Sequence, residues 1–220
     1  MSHLLREFAP ITEASWSLID DEARERLTPA LAARKLIDFA GPHGWKYSAT
    51  NVGRTTPLAD AAHRIATAEN RAVFHGWPAA DITGIAEASS HAPLALGEDC
   101  ELYPSHVAKA VETLLQAGVE GPYGLALGPE PYKRVLETSE HGGYPLFNHL
   151  RQIIGGPLVW APGVQGAVVV SQRGGDFLFD AGEDLAVGYD SHDADAVNLY
   201  LVESFTFRVA TPEAAVALTP

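Results

Sequence analysis

Residues 197–209 form the stretch that most restricts what this chain can fold into, because apolar and polar side chains alternate along it. One set is apolar: Val197, Leu199, Leu201, Phe205, Phe207 and Val209. The other set is mostly polar: Asn198, Tyr200, Ser204, Thr206 and Arg208. A period of two residues predicts a β-strand with one face on a core and the other towards water or a partner. At about 14 residues this predicted strand is well beyond the usual five or six, and it favours an elongated, partner-covered domain over a compact enzyme core.

Shorter strands and several helices are predicted in the rest of the chain. The strands lie at Leu36–Phe39, Tyr47–Val52, Tyr123–Leu127, Leu158–Trp160, Ala167–Ser171, Phe177–Asp180 and Leu185–Tyr189. Apolar residues at spacings of three and four predict helices from Thr12 to Leu27, from Thr56 to Gly76, from Pro104 to Gly118, over Pro129–Thr138 and over Leu146–Ile154. Residues 79–90 are predicted to be irregular. Because the elements do not follow the regular βαβ alternation of a doubly wound fold, the predicted class is α+β.

Composition and charge exclude several kinds of partner. The chain has 220 residues, 46% of them hydrophobic, and a net charge of −13 with only 15 basic residues. Binding to nucleic acid needs clustered lysine and arginine, so no nucleic-acid partner is expected. No apolar run reaches the roughly 18 residues of a membrane-spanning helix, and the N-terminus lacks a signal-peptide pattern. The single cysteine, Cys100, cannot form an internal disulfide. We therefore expect a cytoplasmic protein with no membrane partner.

Candidate catalytic and metal-binding residues are few. The densest group of ligand-type side chains is Asp190, His192, Asp193 and Asp195. No second histidine lies nearby in the sequence, so a solvated loop is favoured over a site for zinc or another divalent ion. The motifs of a nucleophile elbow, a zinc protease, a phosphate-binding loop and a dinucleotide fold do not occur. The sequence therefore predicts no catalytic residue, no metal and no cofactor, and a protein that is not an enzyme.

Several segments, in order along nearly the whole chain, resemble the encapsulins, which are bacterial shell proteins with the fold of tailed-phage capsids. They include LLREFAPITEASWSLIDDEA, GVEGPYGLAL, ETSEHGGYPL, WAPGVQGAVVVSQRGGDF and GEDLAVGYDSHDADAV. Each segment alone is weakly specific, and their joint order carries the resemblance. It implies an HK97-like phage-capsid fold with an N-terminal helical arm at residues 1–35. A peripheral domain at 36–103 and 185–220, with a spine helix at 57–75, and an axial domain at 104–184 are implied as well.

The resemblance implies a function as one subunit of a homo-oligomeric, icosahedral shell. Such a shell, an encapsulin nanocompartment, encloses a cargo enzyme through the C-terminal targeting peptide of that enzyme and gates small molecules through pores. Family cargos include ferritin-like proteins and dye-decolourising peroxidases, which would connect the shell with iron storage and oxidative stress. The alternatives are a phage-type major capsid protein, which the acidic balance disfavours, and a hydrolase or bacteriocin, which the missing motifs disfavour.

The same resemblance implies a groove for the cargo peptide. Phe8, Arg34 and Asp38 are expected to form or flank this groove, on the inner face of the shell between the N-terminal helix and the C-terminal strands. An apolar groove with a charged rim suits an extended peptide that has alternating apolar anchors. The alternative for Arg34 and Asp38 is an intrachain ion pair at helical spacing.

A second expected site is a pore, lined by Ser139, Glu140, His141, Gly142 and Gly143. The two glycines allow a tight loop, and copies of it around a symmetry axis would place Glu140 and His141 near their own images. Such a ring of carboxylates would favour cations over anions. The alternative is an ordinary mobile surface loop.

One departure from the family pattern is expected to change assembly. Encapsulins continue from the segment matched here by Asn51–Arg54 into a long β-hairpin, the E-loop, which reaches over a neighbouring subunit. In this chain Arg54 is followed at once by Thr55–Leu58, which matches the family only at or inside the spine helix. Roughly forty residues are therefore predicted to be missing. Thr56 and Pro57 can still supply an N-cap and a first-turn proline for that helix.

Overall fold

The computed structural model describes residues 4–44, 50–51, 58–139 and 143–220. Its α-helices are α1 (Glu13–Leu27), α2 (Leu58–His75), α3 (Ile85–Ala88), α4 (Tyr103–Gln116), α5 (Pro129–Glu137) and α6 (Leu146–Ile154). Its strands are β1 (Asp38–Ala40), β2 (Thr50–Asn51), β3 (Leu94–Ala95), β4 (Tyr123–Leu127), β5 (Leu158–Trp160), β6 (Ala167–Ser171), β7 (Phe177–Ala181), β8 (Ala186–His192), β9 (Val197–Val202), β10 (Ser204–Val209) and β11 (Ala215–Thr219). The predicted bounds of β4, β5, β6 and α6 agree with these.

A five-stranded sheet in the order β3-β11-β6-β4-β5 lies in the larger apolar core. Strand β6 is antiparallel to β4 and to β11, whereas β4 and β5 are parallel. Every residue of β4 and β6 is buried. Their sequences are almost entirely apolar, which is typical of strands that are covered on both faces. Helices α4 and α6 pack against each other and against this sheet. The mixed parallel and antiparallel sheet with its helices confirms the predicted α+β class.

The N-terminal arm forms a second apolar cluster with α2 and the hairpin β8–β9. Helix α1 begins after Thr12, whose Oγ1 accepts a hydrogen bond from the backbone N–H of Ser15 at 3.3 Å. Trp16 and Leu27 then face inward because residues at helical spacing share one side of the helix. They are buried in the same cluster as Ile65 of α2.

The first residues of the arm bind along the edge of β8. The backbone N–H of Tyr189 donates to the carbonyl of Leu4 at 2.9 Å. Nε of Arg6 donates to the carbonyl of Val187 at 2.8 Å, and its Nη2 lies 2.6 Å from Oδ1 of Asp20 on α1. The arm therefore satisfies polar backbone groups of the strand that would otherwise form an open edge.

The single long strand predicted over residues 197–209 is wrong, because the structure contains two strands in different sheets. Strand β9 pairs with β8 in a two-stranded sheet, whereas β10 lies between β7 and β2 in the four-stranded sheet β1-β7-β10-β2. The break falls at Glu203, which takes an apolar-face position in the alternation and is fully buried. The paired strands break opposite the same point. Strand β7, which pairs with β10, ends at Ala181, and strand β8, which pairs with β9, begins at Ala186. A buried carboxyl group needs polar partners, and the apolar ladder of one continuous strand does not supply them.

Four smaller predictions differ from the structure or lie outside it. The strand predicted at Leu36–Phe39 begins later, because Ala33–Lys35 forms a 3-10 turn before β1. Residues 79–90 are not wholly irregular: they contain α3, whose four residues are too few for a helical period to show in the sequence. Most of the strand predicted at Tyr47–Val52, and the start of the spine helix at Thr56–Pro57, lie outside the described residues. The division into peripheral and axial domains stays a prediction.

Candidate functional site

Arg34 lies where the arm, the long helix α2 and the C-terminal strands meet. It belongs to the 3-10 turn Ala33–Lys35, between α1 and β1. Its Nε lies 2.8 Å from Oε2 of Glu69 on α2, and its Nη1 lies 2.6 Å from Oδ1 of Asp184, just before β8. Its Nη2 contacts Oε1 of Glu203, between β9 and β10. We call these four residues, Arg34, Glu69, Asp184 and Glu203, the Arg34 cluster.

Asn70 fixes the position of the turn that carries Arg34. Its Oδ1 accepts a hydrogen bond from the backbone N–H of Ala33 at 3.0 Å. Its Nδ2 donates to the carbonyls of Ala30 at 2.8 Å and of Pro162 at 3.0 Å. The side chain is fully buried, so these bonds satisfy groups that water does not reach. Asn70 follows Glu69 on α2. Two adjacent residues of this helix therefore bind the backbone of the turn and the guanidinium of Arg34.

Two aromatic rings cover the guanidinium of Arg34. Its Cζ lies 4.8 Å from the ring centre of Phe39 on β1 and 5.4 Å from that of Phe179 on β7. A cation over a ring face is attracted by the ring quadrupole. Burial by itself lowers the pKa of Arg34, but the negative charges of Glu69, Glu203 and Asp184 outweigh it and raise the pKa. Arg34 is therefore held as a cation inside its own subunit, with 13% of its side chain exposed.

For the carboxyl group of Glu203, the surroundings favour the neutral form and not the charged form. It is fully buried, and burial disfavours the charged form of a carboxyl group. Burial, together with the negative charge of Glu69, raises the pKa of Glu203 well above its usual range, although Arg34 acts in the other direction. One guanidinium thus faces two fully buried carboxyl groups and the partly exposed Asp184.

The predicted cargo-binding residues occupy different surroundings. Phe8 is 54% exposed at the end of the 3-10 turn Arg6–Phe8, so it is available to a partner. Arg34 and Asp38 do not form the alternative ion pair at helical spacing. Arg34 pairs instead within the Arg34 cluster, and Oδ2 of Asp38 accepts a hydrogen bond from the backbone N–H of Gly175 at 2.7 Å. Both residues border the sheet that contains β1 and β7, and their binding to a cargo peptide stays a prediction.

The predicted pore loop is described only at its ends. Ser139 forms an isolated antiparallel bridge with Pro145, and the backbone N–H of Leu146 donates to the carbonyl of Thr138 at 3.2 Å. Gly143 has a φ of +81°, which a residue with a Cβ rarely adopts. Glu140, His141 and Gly142 lie outside the described residues, so the pore also stays a prediction.

The Asp190–Asp195 segment covers the end of β8, with Asp190 and His192, and the turn that leads to β9, with Asp193 and Asp195. Oδ1 of Asp193 accepts hydrogen bonds from the backbone N–H groups of Asp195 and Ala196 at 2.9 and 2.8 Å. These two bonds lower the pKa of Asp193. Nδ1 of His192 lies 2.6 Å from the hydroxyl of Tyr189. In the part of the chain that the structure describes, no group of three metal-ligating side chains comes together. The prediction of a loop holds for Asp193 and Asp195 and is wrong for Asp190 and His192, which belong to β8; that this segment binds no metal stays a prediction.

Glu69, Asp184 and Glu203 did not emerge from the sequence as site residues. A signal for two of them is nevertheless present. Glu203 interrupts the apolar positions 197, 199, 201, 205, 207 and 209, and Glu69 follows Ile65 by four residues on the buried face of α2. A charged residue at a buried position of either period requires a partner of opposite charge.

The architecture matches that of a known shell. It aligns with a chain of the virus-like particle from Pyrococcus furiosus at a TM-score of 0.65, covering 90% of this chain and 98% of that chain. The identity of 14% means that this likeness concerns the fold alone. The fold is the HK97-like fold of capsid and shell proteins, as the sequence resemblance implied.

Sequence comparison then identifies the family. The Linocin_M18 profile, described as encapsulating protein for peroxidase, matches residues 1–57 and 54–206. The type 1 encapsulin shell protein of Rhodospirillum rubrum is 42% identical over 270 positions, which cover 99% of this chain and 96% of that protein. That of Rhodococcus erythropolis is 36% identical over 264 positions, which cover 99% and 100%. The chain belongs to the encapsulin family.

The same comparisons locate a gap in this chain. The two parts of the family match meet at residues 54–57. The alignments run over 264 and 270 positions although the chain has 220 residues, so roughly 45 to 50 positions of the relatives have no counterpart here. The predicted loss of a segment after Arg54 is confirmed.

Among the described helices, none has the length and hydrophobicity needed to cross a bilayer.

Proposed function

We propose that this protein is a non-enzymatic shell subunit that assembles with copies of itself into a closed icosahedral particle around a cargo enzyme. The observation that carries the proposal is the similarity to type 1 encapsulin shell proteins at 36–42% identity over nearly the whole chain. The description of the family as encapsulating protein for peroxidase supports a peroxidase as cargo. A ferritin-like cargo, which would connect the shell with iron storage, is the second candidate.

Four exposed apolar side chains of the subunit are candidates for contacts between subunits. Leu18, Leu102, Leu115 and Leu136 are 71%, 50%, 55% and 58% exposed. They lie on α1, α4 and α5 and in the turn before α4. Single exposed apolar side chains are common on protein surfaces, so these four leucines are candidates for contacts between subunits and do not carry the proposal. Electron microscopy of the purified protein tests the proposal: hollow particles are expected, and a monodisperse monomer would contradict it.

Phe8→Ala is expected to reduce the amount of cargo in the particles without preventing their assembly. Phe8 is mostly exposed and belongs to no buried cluster, so the subunit does not need it for folding. Loss of one apolar anchor of about 1.5–3 kcal/mol would weaken peptide binding by at least about tenfold. The measurement is the ratio of co-sedimenting cargo to shell protein in particles isolated from the native host. Phe8→Leu, which keeps an apolar anchor, is the matched control and should retain most cargo. Equal loading in all three proteins would remove Phe8 from the cargo site.

Glu140→Gln is expected to reduce the preference of the shell for cations. Carboxylates gathered around a symmetry axis attract cations and repel anions, and a neutral amide does neither. The measurement is the rate at which Fe(II), and an anion of similar size, reach a probe inside the particle. We expect Fe(II) to enter several times faster in the wild type, and the difference to shrink in the variant. Glu137→Gln, an exposed change of the same charge at the end of α5, is the control. Identical rates for Glu140→Gln and the wild type would refute charge gating by this loop.

A further inference from the structure

The Arg34 cluster contains more buried carboxyl groups than its single cation can balance. Glu69 and Glu203 have fully buried side chains, while that of Asp184 is 29% exposed and reached by solvent. These three carboxyl groups and Arg34 are the charged groups that face one another from the arm, from α2, from the start of β8 and from the junction of β9 and β10. Among the described residues, the rings of Phe39 and Phe179 also lie against Arg34. If both buried carboxyl groups were ionised, one charge would have no buried counterpart.

Two oxygens without hydrogen-bond partners indicate which carboxyl groups hold a proton that neutralises this charge. Oε1 of Glu69 and Oε2 of Glu203 are buried, and neither has a hydrogen-bond partner among the described residues. The two carboxyl groups contact neighbouring nitrogens of one guanidinium, Glu69 at Nε and Glu203 at Nη2 of Arg34, so they lie side by side. Two ionised carboxylates are both acceptors and repel each other, whereas one proton converts the contact into a hydrogen bond.

We propose that the buried pair Glu69 and Glu203 holds a single proton, and that loss of this proton as pH rises loosens the junction between the N-terminal arm, α2 and the hairpin β8–β9. The shared proton leaves one negative charge on the pair for Arg34 to neutralise. Its loss places two like charges side by side where water cannot screen them. This device belongs to the fold of one subunit, so it holds whether or not the subunit encloses a cargo.

The direction of the pH dependence follows from the environment of Glu203. Burial and the neighbouring Glu69 raise the pKa of Glu203 in the folded chain. In the unfolded chain a glutamate titrates near its ordinary pKa of about 4.3. A group whose pKa is raised on folding contributes stability that is fully present below the unfolded pKa and is lost as pH rises through the folded pKa. Arg34 keeps its charge throughout, because a guanidinium does not lose its proton in this range.

Chemical unfolding of the purified full-length protein, measured from about pH 5 to about pH 10, tests the proposal. Between the unfolded pKa of about 4.3 and the raised pKa of Glu203 in the folded chain, the unfolding constant of the wild type should rise by up to about tenfold per pH unit, and above the folded pKa it should level off. Glu203→Gln and Glu69→Gln each replace the shared proton by an amide that donates permanently, so this rise should disappear. Glu112→Gln, on the exposed face of α4, is the control and should follow the wild type.

Infrared spectroscopy of the wild type gives a readout that does not require the variants to fold. We expect the carbonyl band of a protonated carboxylic acid at about pH 6, and its disappearance at the higher pH where the fall in stability levels off. In Glu203→Gln the band should be missing. A wild-type spectrum without this band at about pH 6, where an ordinary glutamate is ionised, would overturn the proposal. So would a Glu203→Gln variant that folds and loses stability with rising pH in parallel with the wild type.

Discussion

Arg34→Ala is expected to lower the free energy of unfolding of the subunit by about 3–5 kcal/mol, which is the usual cost of removing one partner from a buried ion pair. The variant leaves the buried carboxyl groups of Glu69 and Glu203 without their cation. It also removes the cation that lies against the rings of Phe39 and Phe179. Arg34→Lys should lose less stability than Arg34→Ala, because a lysine keeps the positive charge. It should still be less stable than the wild type, because an ammonium cannot make the three contacts of the guanidinium.

Denaturation by urea, followed by circular dichroism, measures the effect. Arg24→Ala is the matched control: the side chain of Arg24 is 52% exposed and lies 3.7 Å from an exposed Asp21, so its loss should change stability by less than about 1 kcal/mol. The experiment also separates two roles of Arg34. An Arg34→Ala subunit as stable as the wild type, but without cargo, would make Arg34 a direct cargo contact. A destabilised subunit makes it a residue that positions the arm, and the loss of cargo is then a secondary effect.

Restoring the missing segment is expected to produce the second large change. The segment of the Rhodospirillum rubrum relative that has no counterpart here would be inserted between Arg54 and Thr55. If the inserted E-loop spans a neighbouring subunit, as the resemblance implies, it adds buried area and strand pairing between subunits. Several kcal/mol of added contact should raise the temperature of shell disassembly by about 10 °C. The protein without the insert should form a weaker, more porous or differently sized shell.

Particle diameter from electron microscopy, disassembly temperature and leakage of an enclosed dye are the three measurements. A glycine- and serine-rich insert of equal length controls for the effect of the longer chain, because it adds no strand to pair. The fold of the subunit itself should be the same with and without the insert, since both apolar clusters form from the described residues. Shells of equal size, stability and porosity with either insert and without one would contradict the prediction.

Local patterns in the sequence predicted the elements whose causes are local. The near-continuous apolar runs of β4 and β6 predicted buried strands, because such a run suits a strand covered on both faces. The helical spacing of apolar residues in α6 placed both of its ends correctly. The order of short segments along the chain sufficed for the family and the fold class, and a jump in that order located the missing segment. The exposed Phe8 and Asp38 emerged as site residues only through resemblance.

Partners far apart in the sequence were decided by the tertiary structure alone. Arg34 contacts carboxyl groups 35, 150 and 169 positions away, and no local period encodes those pairings. The alternation over residues 197–209 suggested one strand, because periodicity records which side chains share a face and not which strand lies beside them. The chain changes sheets at Glu203, where a buried carboxyl group meets its cation. Sequence patterns predicted which side chains share one face of a helix or strand, where several turns lie, and the family to which the chain belongs. The junction of the arm, α2 and the C-terminal strands depends on charges that only folding brings within 3 Å of one another.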